Sequence, residues 1–426
     1  MTEPGSLPKE WKVVRLEEVA QPRNETVHPK QAQHLRYVGL EHIDPGDVKL
    51  KRWGYPAEVR SAKHRFYTGD ILYGKLRPYL DKAILAEWDG ICSTDITVLS
   101  STEKVDKFFL VSLLHTQTFV RFATATMTGV NHPRTSWSAL KSFPVPLPPL
   151  PEQRAIAYVL RTVQRAKEAT ERVITATREL KKSLMRHLFT YGPVPLNQAD
   201  QVPLKETEIG PVPEHWEVVR LGEVLKRTQY GISRRGEREG RFPILRMNNL
   251  VDGKIDTSSL QYVDLNAQEF VKFQLRKGDV LFNRTNSIDL VGKTALFDLD
   301  GDYVFASYLI RLEVVKNRLM SEFLNFYMNW DKTQQRLKGL ASRGVSQSNI
   351  SATKLKGLSI ALPPPSEQRE IARIFQAVDR KIEAEENRKA ALEALFKTLL
   401  HHLMTAKVRV GPRGGADNVD HMLEGD

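Results

Sequence analysis

Two long stretches of the chain repeat apolar residues every three or four positions without a break. Between Glu152 and Phe189 there is no glycine and no proline, and Ile156, Val159, Val163, Ala166, Thr170, Val173, Thr177, Leu180 and Leu184 share one helical face. A second run, Glu367 to Ala406, places Ile371, Ile374, Val378, Ile382, Leu392, Leu395, Leu399 and Leu403 on a comparable seam. Pro151 suits a first turn and Ser366 an N-cap, while Gly192-Pro193 and Gly411-Pro412 read as stop signals. At 1.5 Å per residue each helix spans roughly 55–60 Å. A lone amphipathic helix of that length exposes a wide apolar stripe, so the two are expected to pair with each other as a coiled coil. Thr170, Thr177 and the stretch 383–389 weaken the seams at mid-length.

Ahead of each helix the pattern changes to short β-rich runs broken by turns. The first half offers Trp11–Leu16, Leu35–Gly39 and Asp70–Tyr73, interrupted at Asp44-Pro45-Gly46-Asp47 and Asp89-Gly90. The second offers Pro243–Arg246, Asp279–Phe282 and Tyr303–Leu309. Helices are predicted over Lys107–Phe122 and Ser321–Leu337. Each globule reads as α/β (α+β).

These halves echo one another. Leu147-Pro148-Pro149-Leu150-Pro151-Glu152-Gln153-Arg154-Ala155-Ile156-Ala157 returns at 362–372 with eight of eleven positions identical. Trp11-Lys12-Val13-Val14-Arg15-Leu16 returns as Trp216-Glu217-Val218-Val219-Arg220-Leu221, and Gly69-Asp70-Ile71-Leu72-Tyr73 as Gly278-Asp279-Val280-Leu281-Phe282. A period of half the chain signals a duplicated domain pair with pseudo-twofold character, rather than a solenoid. The expected layout is a first domain 1–146, a helix 147–192, a linker 193–211, a second domain 212–361, a helix 362–410 and a disordered tail 411–426.

Composition adds little to this but excludes much. The 426 residues hold 63 basic and 51 acidic side chains, net +12, which favours a polyanionic partner. The longest apolar runs are too short to cross a membrane, the N-terminus lacks signal-peptide features, and Cys92 is alone, so a cytoplasmic location is expected.

The search for catalysis finds decoys. Gly292-Lys293-Thr294 resembles the end of a phosphate-binding loop, but Ser287 occupies the place of its first glycine. His187 and His402 fall in the last helical turns, where a basic ring suits the helix dipole. No metal-spaced Cys/His group, nucleophile elbow, nuclease carboxylate cluster or Asn/Asp-Pro-Pro-aromatic tetrapeptide is present. This is the profile of a binding protein with no catalytic residue, metal or cofactor of its own.

Basic and amide-rich loops follow the repeated strands instead. The first half gives Lys75, Arg77, Tyr79 and Lys82, then Asn131 and Arg134 in Asn131-His132-Pro133-Arg134. The second gives Arg234 and Arg235 after Tyr230-Gly231-Ile232-Ser233, Arg246 at a strand end, Arg284, Thr285 and Asn286, and Gln347 and Asn349 in the counterpart loop 346–349. Such side chains pair with purine edges or phosphates.

Together these residues resemble the specificity subunit of type I restriction–modification systems. The Leu-Pro-Pro-x-x-Glu-Gln-Arg-x-Ile-Ala pair and the Trp-x-x-x-x-Leu openings carry most of the resemblance. Tyr37-Val38-Gly39-Leu40-Glu41-His42-Ile43, residues 74–80, residues 283–287 and Leu290-Val291-Gly292-Lys293-Thr294 add to it, the last bringing Lys293 into the candidate set. The resemblance implies two target-recognition domains, each reading half of a bipartite site in double-stranded DNA, with the helices as spacer, lying antiparallel as a coiled coil. It also implies two adenine methyltransferase subunits and two restriction subunits as partners, which hold S-adenosylmethionine, ATP and magnesium. The specificity subunit of a related system whose partner fuses methylation and cleavage, and a non-catalytic coiled-coil scaffold, remain alternatives at this point.

Overall fold

A computed structural model of the chain describes residues 7–344 and 347–411. Most of the tail expected to be disordered, 412–426, lies outside the described residues. The described chain falls into two compact units that do not follow chain order, 7–171 with 386–411, and 172–385. Each unit therefore contains half of each long helix.

In the first unit the strand Lys12–Arg15 runs antiparallel to Pro144–Leu147, pairing Lys12 with Leu147 and Arg15 with Pro144. The chain thus enters and leaves the globule side by side. Between them lie an antiparallel sheet ordered Ala20–Pro22, Ile96–Ser101, Ile71–Gly74, Ala83–Leu85, and a sheet ordered Thr26–Val27, Lys63–Phe66, Gly90–Cys92, Arg36–Val38. Helices Lys107–Leu114 and Gln117–Ala125 close the core over Phe109, Phe119 and Phe143. Ile156 and Leu160 of the first long helix join this core with Phe396, Leu400, Leu403 and Met404 of the second. Arg409 meets Glu152, and Lys389 meets Glu171 at 2.9 Å, so here the two helices run antiparallel.

The second unit repeats the plan. Glu217–Arg220 pairs antiparallel with Ser359–Leu362 in the same register, Glu217 opposite Leu362 and Arg220 opposite Ser359. The four-stranded sheet is ordered Leu225–Tyr230, Leu309–Val314, Val280–Asn283, Thr294–Leu296, matching its counterpart strand for strand. Gln261–Val263, Phe242–Leu245 and Val304–Phe305 form the companion sheet. Phe189 packs against Phe375 at 5.4 Å, and Lys181 pairs with Asp379, so the helices are antiparallel here as well.

One device explains the strongest repeated motif. Trp11 donates its indole N–H to Glu152 at 3.1 Å, and Trp216 donates to Glu367 at 2.9 Å. The adjoining glutamines are buried and form matching triads. Gln153 accepts from the Asp106 N–H and donates to the carbonyls of Pro148 and Lys104. Gln368 accepts from the Met320 N–H and donates to those of Pro363 and Arg318. Glu-Gln therefore latches each long helix to the first strand of one domain and to the entry of its internal helix.

Several expected elements are revised. The stretch 107–122 is two helices rather than one, because His115 ends the first and the Thr116 hydroxyl caps the second by accepting from Phe119 N–H. Likewise 321–337 breaks at Asn329 and Trp330 into Ser321–Met328 and Asp331–Leu340. Tyr303–Leu309 divides between Val304–Phe305 and a separate strand, Leu309–Val314.

The long helices run Leu150–Tyr191 and Pro365–Met404, so Ser366 lies inside its helix and is not a cap. Pro365 takes the first helical position, where its missing N–H leaves no intrahelical bond unmade. Gly192, at φ +82°, ends the first helix, whereas the second ends before Ala406, at φ +54°, and not at Gly411.

The seams also differ. Val173 and Leu180 are exposed, as is Leu395, while Leu160, Gln164, Lys167, Phe375, Phe396 and Leu400 are buried. A strict seven-residue repeat drifts off the face of a helix with 3.6 residues per turn, and a seam sought only among apolar residues passes over Gln164 and Lys167. Those two bind Asp47 at 3.0 and 3.2 Å.

Candidate nucleic-acid interface

In the first unit the loop after strand Ile71–Gly74 and the hairpin 128–134 are laced together. Thr128 and Arg134 exchange both backbone hydrogen bonds, Arg77 N–H donates to Pro133 O at 2.8 Å, and Thr135 N–H donates to Lys75 O at 3.0 Å. Lys75, Arg77, Tyr79, Lys82, Asn131 and Arg134 are thereby gathered at one place, but they do not share one role. Arg134 makes a two-pronged ion pair with Asp95, Nε at 2.7 Å and Nη2 at 3.3 Å, which holds the Asp95 carboxyl below its ordinary range. Lys82 donates to the Leu40 carbonyl at 2.6 Å, and burial lowers its ammonium pKa. These two side chains build the loop. Lys75 and Arg77 make no side-chain hydrogen bond or ion pair among the described residues, and Arg77, Tyr79 and Asn131 are exposed. Arg77 and Asp81 both adopt left-handed backbone, at φ +50° and +52°, a conformation disfavoured by a Cβ atom.

The second unit gathers a different set on the equivalent strand end. Thr285–Asn286 pairs antiparallel with Ser348–Asn349, which in turn pairs with Ser342–Arg343. Thr285 Oγ1 donates to Asn349 Oδ1 at 3.3 Å, and Asn286 Nδ2 reaches the Met247 sulfur at 3.3 Å. The Arg284 guanidinium lies 4.8 Å from the Tyr230 ring centroid, and the Tyr230 hydroxyl accepts from Ala352 N–H at 2.9 Å. Neither Arg284 Nε nor Arg246 Nε finds a partner among the described residues, although both atoms are buried.

Gln347 and Arg235 are exposed; Arg234 is engaged with Glu269 at 2.9 Å, and Arg246 donates to Ser259 O at 3.2 Å. Lys293 contributes its backbone, its carbonyl accepting from Asn283 N–H at 2.8 Å, with its side chain half-buried. Arg246, Arg284, Thr285, Asn286, Gln347 and Asn349 thus come together, whereas Arg234 is tied to the outer sheet through the Asp264 carbonyl.

Two contributors escaped the sequence reading. Tyr308 accepts the Arg284 backbone N–H at 3.0 Å through its carbonyl, and the fully exposed Val130 stands at the tip of the 128–134 hairpin. Tyr230 was named with the candidate run 230–235, but not as the ring beside Arg284. An aromatic residue flanking a loop arginine was the available signal, because guanidinium planes stack on rings. The arrangement suits anionic and base-edge ligands, with free cations and amides on rigid, backbone-laced loops and aromatic faces beside them. Among the described residues no His/Cys/Asp/Glu group could hold a metal, and no helix is long and apolar enough to cross a membrane.

Comparison with known proteins agrees with this layout. The family model described as the type I restriction modification DNA specificity domain matches twice, over residues 8–177 and 213–394. A type I restriction enzyme specificity subunit of Methanocaldococcus jannaschii, MjaX, is 33% identical over 207 residues, which are 48% of this chain and 49% of that protein. The MjaVIII specificity subunit of the same organism is 26% identical over 328 residues, 75% of each chain. The matched chain therefore spans about half the length of the first relative and three quarters of the other. The crystal structure of the type I restriction–modification S subunit from M. genitalium shares the fold with a TM-score of 0.58 at 16% identity, covering 95% of this chain and 98% of that one. With both halves matched by one description, the chain belongs to the family of type I restriction modification DNA specificity domains, and it carries two of them.

Proposed function

We propose that this protein is the DNA-binding specificity subunit of a type I restriction–modification complex. Each recognition domain reads one half of a bipartite target in double-stranded DNA. The long helices set the gap between the half-sites and dock two adenine methyltransferase subunits, to which two restriction subunits are added. S-adenosylmethionine, ATP and magnesium belong to those partners, and this chain supplies recognition without chemistry. The observation behind this reading is that two loop pairs, 75–82 with 128–135 and 284–286 with 347–349, sit on one repeated frame yet differ at equivalent positions, Lys75 and Arg77 in one standing where Arg284 and Asn286 stand in the other. A common frame with unlike loops is what two unlike half-sites require.

The test is methylation sequencing with the reconstituted complex on a library randomised at both half-sites. Loss of a two-pronged base contact costs roughly 1–3 kcal/mol. Arg284→Ala relaxes the second half-site and leaves the first unchanged, and Arg77→Ala does the converse. Equal loss at both half-sites from either variant, or no change from both, overturns the reading. A DNA affinity that does not fall with salt would favour a scaffold instead, because phosphate neutralisation releases counterions.

A further inference from the structure

The loop that presents Arg77 is bent through two left-handed residues that are not glycine, Arg77 and Asp81. Strain of this kind persists only where the surroundings over-determine it. At Asp81 the backbone carbonyl accepts from Gly46 N–H at 2.8 Å, and its N–H donates to Pro78 O at 3.0 Å. The remaining constraint comes from His115, one residue beyond the helix Lys107–Leu114. Its side chain is 2% exposed, with Nδ1 2.7 Å from Asp81 Oδ1 and Nε2 2.8 Å from the Ala83 carbonyl. The Ala83 carbonyl can only accept, so Nε2 carries a proton, and the ring ties Asp81 to Ala83 through its two nitrogens.

The second unit provides an internal control. Asn329 follows the helix Ser321–Met328 as His115 follows its own. Asn329 Nδ2 donates to the Thr294 carbonyl at 2.9 Å, and Thr294 opens the strand equivalent to Ala83–Leu85. The shared contact identifies Nε2 of His115 as a donor. Asn329 turns its other contacts to Asn325 of its own helix, so the grip on a loop carboxylate exists only in the first unit.

We propose that His115 is the positioning residue of the first recognition loop. By holding Asp81 and Ala83 together it fixes the left-handed corner and so sets the direction in which Arg77 and Tyr79 meet the first half-site. This inference rests on the reading of that loop as DNA-contacting.

The experiment uses the reconstituted methylation complex, the randomised library and four variants, with thermal unfolding recorded alongside. His115→Asn keeps a donor for Ala83, as Asn329 does for Thr294, and loses Asp81. Asp81→Ala removes the other partner, while Asp81→Asn retains an acceptor and is the conservative rescue. The expected result is about a ten-fold loss of discrimination at the first half-site for His115→Asn and for Asp81→Ala. The double variant is no worse than either single, Asp81→Asn stays near wild type, and the second half-site is untouched throughout. Arg77→Ala separates the two layers of argument. If it changes the first half-site while His115→Asn and Asp81→Ala do not, the positioning role is wrong and the functional reading stands. If Arg77→Ala changes nothing either, the loop does not read DNA and both fall. Should His115→Asn fail to fold, the contrast between Asp81→Ala and Asp81→Asn decides, and equal behaviour of those two overturns the proposal.

Discussion

Replacing Gln368 by leucine should destabilise the second unit far more than its position at a helix start suggests. The side chain is fully buried, and its three bonds are all to backbone: Met320 N–H, Pro363 O and Arg318 O, each at 2.8 Å. Leucine is close in volume, so packing changes little, but one donor and two acceptors lose their partner. At about 1 kcal/mol for each bond lost, and more for a buried group left stranded, the cost is about 3–5 kcal/mol. Gln153→Leu should cost a similar amount in the first unit, where Asp106 N–H lies at 2.9 Å and the carbonyls of Pro148 and Lys104 at 2.9 and 3.2 Å. With two units, a single unfolding midpoint is ambiguous, so native-state hydrogen exchange is the better readout. Protection of the Met320 amide should fall in Gln368→Leu and that of Asp106 in Gln153→Leu, each without the other. Glutamate at either position keeps the acceptor but turns a carboxylate towards two carbonyls, and should be no better than leucine. A loss below about 1 kcal/mol, or unchanged exchange at Met320, would refute the latch as the reason for the repeated Glu-Gln.

Three further outcomes are expected. Burial alone would raise the Asp47 carboxyl, but its bonds to Lys51 and Lys167 outweigh this and hold it below its usual range. Its stabilisation is therefore present above the unfolded value of about 3.9 and is lost as pH falls through the lower folded value, so Asp47→Asn should flatten the acid limb of the first unit's denaturation curve. Burial pushes the Cys92 thiol far up, and a disulfide reagent should leave it unmodified until denaturant is added; rapid labelling of the native protein would contradict its placement. A circular permutant opened within 193–211, with residue 411 joined to residue 7 by a short linker, should fold and keep its target, because Arg409 pairs with Glu10 at 3.2 Å and with Glu152 at 2.8 Å. A permutant that is insoluble or has lost its target preference would show that these ends cannot be joined.

The duplicated frame was legible because its signals are local and repeated. Trp11 and Trp216, the Pro-Pro-x-x-Glu-Gln-Arg segments and the glycine-free helices could all be found without knowing any contact. The breaks at His115 and Asn329 were not, since neither stretch holds a glycine or proline to mark the turn, and the side-chain contacts of His115 and Asn329 lie far off in the sequence. The seam was misread where buried positions are polar. Gln164 and Lys167 face Asp47, a partner 117 and 120 residues away in sequence, and no periodicity announces it. In the candidate site, residue type picked out loops that the structure gathers at two equivalent strand ends, but not the division of labour within them. Arg77 and Arg134 look alike in sequence, yet one is presented and the other is bound to Asp95.

That division differs between the two halves in a way that bears on how such a protein can change its target. The first loop is fixed through side chains with carboxylate partners, Arg134 with Asp95 and His115 with Asp81. The second is fixed by neutral means, the strand pairing of 285–286 with 348–349 and the Asn329 amide on Thr294. Beneath both, the Trp–Glu contact, the glutamine triad and the four-stranded order are the same. The latch residues lie in the paired end strands and the helix starts, not in the presented loops, so a loop can be rebuilt with another chemistry while the latch keeps its geometry. Additivity between sites that share no partner then makes a definite demand. Substitutions at Lys75 or Arg77 should combine independently with those at Arg284 or Asn286, whereas a latch variant should weaken whatever its own domain reads, regardless of which bases those are.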